Sequence, residues 1–167
     1  MKKQSGFTLI ELMVAVTVAG IVLAVGMPSF AYLLKNNRIS TQANAVIASL
    51  NQARNETINR GVWVRVEPIV AGTDWSAGWQ LRIDGSNPSD NDFNDAADVV
   101  IRSFEAVKSS TLTSTAGTIT YTPDGSVSAA ATLTLKDNGC TSGDFKRIIN
   151  VKPSGFVWLD PNNKSCP

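Results

Sequence analysis

Glu11 is the only charged residue between Phe7 and Met27, in an otherwise almost unbroken apolar run. A carboxylate inside a membrane segment costs on the order of 2–3 kcal/mol or more, so such an acid is a functional candidate by default. Its chemistry would be to pair with a cation. Just upstream, Lys2, Lys3, Gln4, Ser5 and Gly6 form a short basic leader. Cutting after Gly6 would place a new amino terminus on Phe7, four residues before Glu11. A charged amine and a carboxylate in one apolar layer need each other, within one helix or between neighbouring chains. The competing reading is an acid near the membrane surface that merely favours the helix dipole.

Other residues with chemical potential are fewer. Asp90, Asp92, Asn94 and Asp98 fall at alternating offsets in the acid-rich stretch 84–98, as oxygen ligands of a calcium loop do. An EF-hand would carry glycine where Asp95 stands and glutamate where Ile101 stands, so that motif fails. A solvated acidic loop is the competing reading, and no cofactor is expected. The chain has no histidine, which removes the usual general base and the commonest metal ligand. A serine or cysteine nucleophile would lack its partner, and no phosphate loop or nucleophile elbow is present. Enzyme is therefore excluded as a class.

Cys140 and Cys166 are the chain's two cysteines. In a domain exported from the cytoplasm they most economically form one disulfide, with 25 residues between them. Two free thiols are the alternative, and no C-x-x-C spacing supports a redox pair. Formal net charge is +1, and without Lys2 and Lys3 the side chains balance at 13 basic to 14 acidic. Near neutrality predicts no strong nonspecific attraction to nucleic acid.

These groups must be positioned by a small set of elements. The 21 residues from Phe7 to Met27 make a helix of about 32 Å, enough to cross a hydrocarbon core of about 30 Å. Pro28 follows, and the helix is expected to resume after it. Ile39, Ala43, Val46, Leu50, Ala53 and Thr57 recur at three- and four-residue steps, with Ile47 and Ile58 beside them, which predicts an amphipathic helix. Gly61 is a natural C-cap. Alternation predicts strands over 62–67, 79–83 and 99–104, then 118–122, 131–135, 147–151 and 156–159. Pro123-Asp124-Gly125 and Pro153-Ser154-Gly155 are turn signals. The Ser/Thr-rich stretch 109–117 is expected to be a loop. Many short strands with turn signals argue for an antiparallel meander.

Gly6-Phe7-Thr8-Leu9-Ile10-Glu11, with the basic leader and apolar run, resembles the processing site of type IV prepilins and of the pseudopilins of type II secretion. The resemblance implies that a prepilin peptidase cuts between Gly6 and Phe7 and N-methylates Phe7. It implies that Glu11 is the assembly glutamate and that Pro28 breaks the helix near the outer membrane surface. An ordinary signal peptide, cut after Thr17-Val18-Ala19 or Ala24-Val25-Gly26, is the rival reading. Glu11, early in the apolar stretch, argues against it.

A second resemblance is to the GspH/FimT group of minor pilins and pseudopilins. It is carried by Ala53-Arg54-Asn55-Glu56-Thr57-Ile58 with Arg60, by Trp75 with Gly78-Trp79 and Asp84, by Ile119-Thr120-Tyr121 before Pro123 and Gly125, and by Ser154-Gly155. The implied fold class is α+β, a long N-terminal helix packed against one or two antiparallel sheets. The implied organisation is leader 1–6, membrane and filament-core helix 7–30, amphipathic helix 31–60 and globular sheet domain 61–167. The implied function is that of a minor pilin in the tip or priming complex of a type IV pilus, with a minor pseudopilin of type II secretion as the alternative. A C-terminal cysteine pair resembles the disulfide-bounded loop of many type IV pilins and favours the pilus. Expected partners are the prepilin peptidase, other major and minor pilins or pseudopilins, and the inner-membrane assembly platform. The expected location is the inner membrane, single-pass with a periplasmic C-terminal domain, and then the filament. Some relatives resemble DNA receptors for transformation, with arginines after the Ser-Gly element. Here Phe156 and Trp158 stand in those places, leaving Lys146, Arg147, Lys152 and Lys164 as candidate DNA contacts.

Overall fold

The computed structural model describes residues 6–85, 93, 98–140, 145–162 and 165–166. The chain divides into two units, Met1–Asn36 and Asn37–Pro167. One helix, α1 (Leu9–Arg60), contributes to both.

In the first unit α1 carries almost nothing but apolar side chains, and they are bare. Leu9, Ile10, Leu12, Val16, Ile21, Leu23, Met27 and Phe30 are each more than half exposed. Its most apolar 18-residue window has a mean hydropathy of 2.4, with 0% buried. The helical assignment runs through position 28, so the break expected at Pro28 is absent. Proline removes a single i→i−4 bond from the ladder, which bends or weakens a long helix without having to end it.

In the second unit the expected stripe is the core face. Ile39, Ala43, Val46, Leu50, Ala53 and Thr57 are all buried, whereas Ile47 is half-buried and Ile58 is exposed. Ser49 lies on the same face. Its hydroxyl donates to the Val46 carbonyl at 2.7 Å and accepts from Trp79 Nε1 at 2.8 Å, so a buried indole is satisfied by the helix. Gly61, at φ 68°, closes α1 with its amide 2.8 Å from the Thr57 carbonyl. The Thr57 hydroxyl is buried beside the Val62, Tyr121 and Thr122 carbonyl oxygens.

The strands are β1 (Val64–Pro68), β2 (Trp79–Ile83), β3 (Val99–Phe104), β4 (Ser110–Ser114), β5 (Ile119–Tyr121), β6 (Ala131–Asp137), β7 (Lys146–Val151) and β8 (Val157–Leu159). They form two four-stranded antiparallel sheets, ordered β3-β2-β1-β5 and β4-β6-β7-β8. Alternate residues on each sheet, such as Val64, Val66 and Leu81, or Leu112, Leu133 and Ile149, join the helix stripe in one buried cluster. The class is α+β.

β4 occupies the stretch expected to be a loop. Ser110, Leu112 and Ser114 point inward and Thr111 and Thr113 outward, so the period is two, but serine at two inward positions hides it in the sequence. The strand pairs with β6, and its carbonyl at Leu112 accepts the Trp75 amide at 2.8 Å. This exchange also breaks the simple meander, because β4 leaves the first sheet and β5 returns to pair with β1.

Candidate processing and assembly site

Gly6, Phe7 and Thr8 precede the first residue of α1. Gly6 has no atom within 4 Å of where a β-carbon would stand, and its φ is not positive. Phe7 is 91% exposed. The Gly6–Phe7 peptide bond therefore lies outside the helix and open to an approaching protein.

Thr8 caps the helix. Its amide and hydroxyl donate to Glu11 Oε2 at 2.9 and 2.8 Å, and the Glu11 amide donates back to Thr8 Oγ1 at 3.3 Å. This is a reciprocal capping box, in which the N-cap hydroxyl and the carboxylate three residues on satisfy each other's orphan amides. Glu11 is held at the helix entrance by its own chain, with Oε1 carrying no partner among the described residues. Phe7, Ile10, Glu11, Val14 and Ala15 line one shallow, nearly apolar recess around that carboxylate. Thr8-x-x-Glu11 was a legible signal for this cap that reasoning from membrane polarity alone passed over.

At the other end of the chain Cys140 and Cys166 are bonded, with Cα atoms 5.6 Å apart. The disulfide meets a polar tie to α1. The Asp137 side chain, 3% exposed, is ion-paired with Arg38. The other Asp137 oxygen accepts the Gly139 amide at 2.9 Å, and the Asp137 carbonyl accepts the Cys140 amide at 3.1 Å. Arg38 and Asp137 are 99 positions apart in the chain, and no local pattern announced this pair.

The remaining sequence candidates do not converge. Asp98 accepts the Gly85 amide at 3.3 Å and so closes the neck of the acidic stretch, while Asp90, Asp92 and Asn94 lie outside the described residues. Phe93 is buried, with the Arg65 guanidinium 4.0 Å from its ring and Arg82 Nη1 3.3 Å from its carbonyl oxygen. Among the DNA candidates, Lys146 faces outward, but Arg147 is turned inward, buried, with Nη2 3.2 Å from Ser40 Oγ. Lys152 sits over the Trp158 ring at 6.0 Å. Lys164 lies outside the described residues.

A capped apolar helix preceded by an open Gly-Phe bond, continuing into a helix packed on two antiparallel sheets, defines a type IV pilin-like protein. A profile described as "Prokaryotic N-terminal methylation motif" matches residues 1–27, and one described as "Type II transport protein GspH" matches residues 42–155. The chain belongs to the GspH family. Its fold is similar to that of the type IV minor pilin FimU of Pseudomonas aeruginosa (strain PAO1), solved in two crystal forms. The TM-scores are 0.61 and 0.58, at 20% identity, covering 79% and 77% of this chain and 94% and 96% of FimU. Proteins of this kind are structural subunits rather than enzymes, are processed by prepilin peptidase, and associate with other pilins or pseudopilins.

Proposed function

We propose that this chain is a minor subunit of a type IV pilus, cut between Gly6 and Phe7, N-methylated on Phe7 and built into the tip or priming complex. The observation that carries the reading is the free Glu11 Oε1 beside the bare apolar face of α1. After cleavage, the Phe7 amine of an adjacent subunit is the cation that fits this oxygen. A buried carboxylate and amine paired in this way set axial register, because either left alone in an apolar bundle is strongly unfavourable. Pro28 would then sit near the outer membrane surface, with segment 7–30 in the inner membrane before assembly and 61–167 on the periplasmic side. The inner-membrane assembly platform and neighbouring major and minor pilins are its partners in this reading.

The disulfide that ties Cys166 to Cys140, just beyond β6, favours the pilus. The family description favours the second reading, a minor pseudopilin of type II secretion. The DNA-receptor reading has less support, since Arg147 is turned away from Lys146. Crosslinking in the native host, followed by purification through this subunit, separates the first two. Recovery with pilins, and loss of surface pili on gene deletion, supports the proposal. Recovery with secretion pseudopilins, and loss of exoprotein release with pili intact, overturns it.

A further inference from the structure

The solvent side of the second sheet carries a charge pattern that neither core nor assembly explains. Lys136 and Lys146 stand directly opposite one another on β6 and β7. Like charges in such a cross-strand pair are destabilising. Neither ammonium has an ion pair among the described residues. No aspartate or glutamate occupies an outward position within β4, β6, β7 or β8. Asp160, which follows β8 opposite Ile148, is engaged by the Asn162 amide at 2.9 Å and is not ion-paired to either lysine. An anion shared by the two lysines would relieve the repulsion.

Four residues along β7 from Lys146, at about 3.3 Å per residue and so about 13 Å away, a second row crosses the same face. It runs Thr132, Asn150, Trp158 in register. The Thr132 hydroxyl donates to Asn150 Oδ1 at 2.9 Å, which leaves the Asn150 amide hydrogens for a ligand. Trp158 is half-buried, its Nε1 is buried with no partner among the described residues, and Lys152 stands over its ring. The row thus offers an aromatic surface flanked by an amide, a hydroxyl and an ammonium.

We propose that the outer face of β6, β7 and β8 binds an acidic polysaccharide. Lys136 and Lys146 share one carboxylate, and Trp158 underlies a sugar ring whose hydroxyls meet Asn150 and Lys152. The spacing favours a glycan over a nucleic acid. Duplex DNA carries a charge every ~1.7 Å and is held by many cations at once. This face has one lysine pair and a single further lysine, Lys152, beyond the end of β7, and the one arginine of β6, β7 and β8, Arg147, points inward. Hydroxyl and amide groups between sparse charges match a polymer with sparse carboxylates.

The test uses the full chain in phosphatidylcholine nanodiscs, titrated calorimetrically with oligogalacturonate, with a neutral oligoglucan, and with single-stranded DNA. Oligogalacturonate is expected to bind, more tightly than the other two. Lys136→Gln/Lys146→Gln and Trp158→Ala should each weaken it by about ten-fold or more, equivalent to about 1.4 kcal/mol. Lys108→Gln, away from the face, should not. Thermal melts of each variant report whether the fold is retained. Absence of binding at millimolar oligogalacturonate overturns the proposal. Equal binding of the neutral glucan, tighter binding of DNA, or binding that survives the substitutions in folded protein does so as well.

Discussion

Gly155 faces Gly125 so closely that a β-carbon on Gly155 would lie 1.9 Å from the Gly125 carbonyl oxygen. The same oxygen accepts Arg54 Nε of α1 at 3.1 Å. The Val127 amide reaches the Pro153 carbonyl at 2.9 Å, so two turns, one in the β5–β6 crossover between the sheets and one in the β7–β8 hairpin, are locked face to face under one helix side chain.

Gly155→Ala should therefore unfold much of the second unit, because it adds both a backbone clash and a side chain at φ 74°. The expected loss is about 3 kcal/mol or more. Gly61→Ala is the control. Gly61 also has positive φ, at 68°, but nothing within 4 Å of its β-carbon position, so only about 1 kcal/mol should be lost. Urea titration followed by near-ultraviolet circular dichroism distinguishes them, and equal losses would mean that the contact between the turns matters little.

Gly6→Val should leave folding unchanged and stop processing. Gly6 has open space around it and no positive φ, so the fold does not require glycine there, and in the proposed processing that requirement would lie with the peptidase. The intact mass should then retain residues 1–6 and lack the methyl group. A variant cut and methylated normally would contradict the processing site.

Glu11→Ala should be inserted and cut but enter filaments poorly, and Thr8→Val should show a milder defect of the same kind. The Thr8 hydroxyl supplies one of two bonds to Glu11 Oε2 and accepts the Glu11 amide, while the Thr8 amide bond survives the substitution. Immunoblots of sheared filaments against membranes measure the split. Thr8→Val as severe as Glu11→Ala would give the hydroxyl a role beyond capping.

Cys140→Ser should cost the second unit roughly 3 kcal/mol, the loop-closure value for a bridge of this length. Processing should be unaffected, since the bond lies in the other unit. The wild type treated with reductant should melt together with the variant, and a remaining gap would point to strain introduced by serine.

Asp124 gives a pH dependence. Hydrogen bonds from the Thr122 hydroxyl, then from the Ser126 hydroxyl and amide, hold its carboxyl below the usual carboxylate range. The folded state therefore favours the ionised form. Its stabilisation is complete above the unfolded pKa near ~3.9 and fades as pH falls through the lower folded value. Asp124→Asn should melt below wild type at pH 7, and the gap should narrow as pH drops from about 4 toward 2. A gap independent of pH would assign the effect to turn conformation alone.

Much of this architecture could be read from residue spacing. The stripe from Ile39 to Thr57 became the buried face because every member is apolar or can bond locally. The Pro-Asp-Gly and Pro-Ser-Gly turns were visible because their glycines have positive φ. What escaped depends on partners distant in sequence. Serines at 110 and 114 look like loop residues until β6 pairs beside them. Arg147 reads as a surface cation until its strand register turns it inward to Ser40. Ile58 lies beside the stripe, yet it stays exposed, with Gly125 against its tip. The two sulfurs could be paired by counting, but Arg38 and Asp137 could not.

The bare N-terminal half of α1 has a thermodynamic corollary. Its peptide groups are bonded along the helix itself, so in the proposed assembly swapping acyl tails for sister helices would disturb none of those bonds. Both surroundings are equally oily, and the swap carries no large hydrophobic gain in either direction. Such a segment can be pulled from a bilayer and returned to it without refolding. In the proposed assembly, the carboxylate at position 11 and the terminal amine it would meet on a neighbouring chain are the groups for which the two surroundings differ sharply, so that pair would make the move directional.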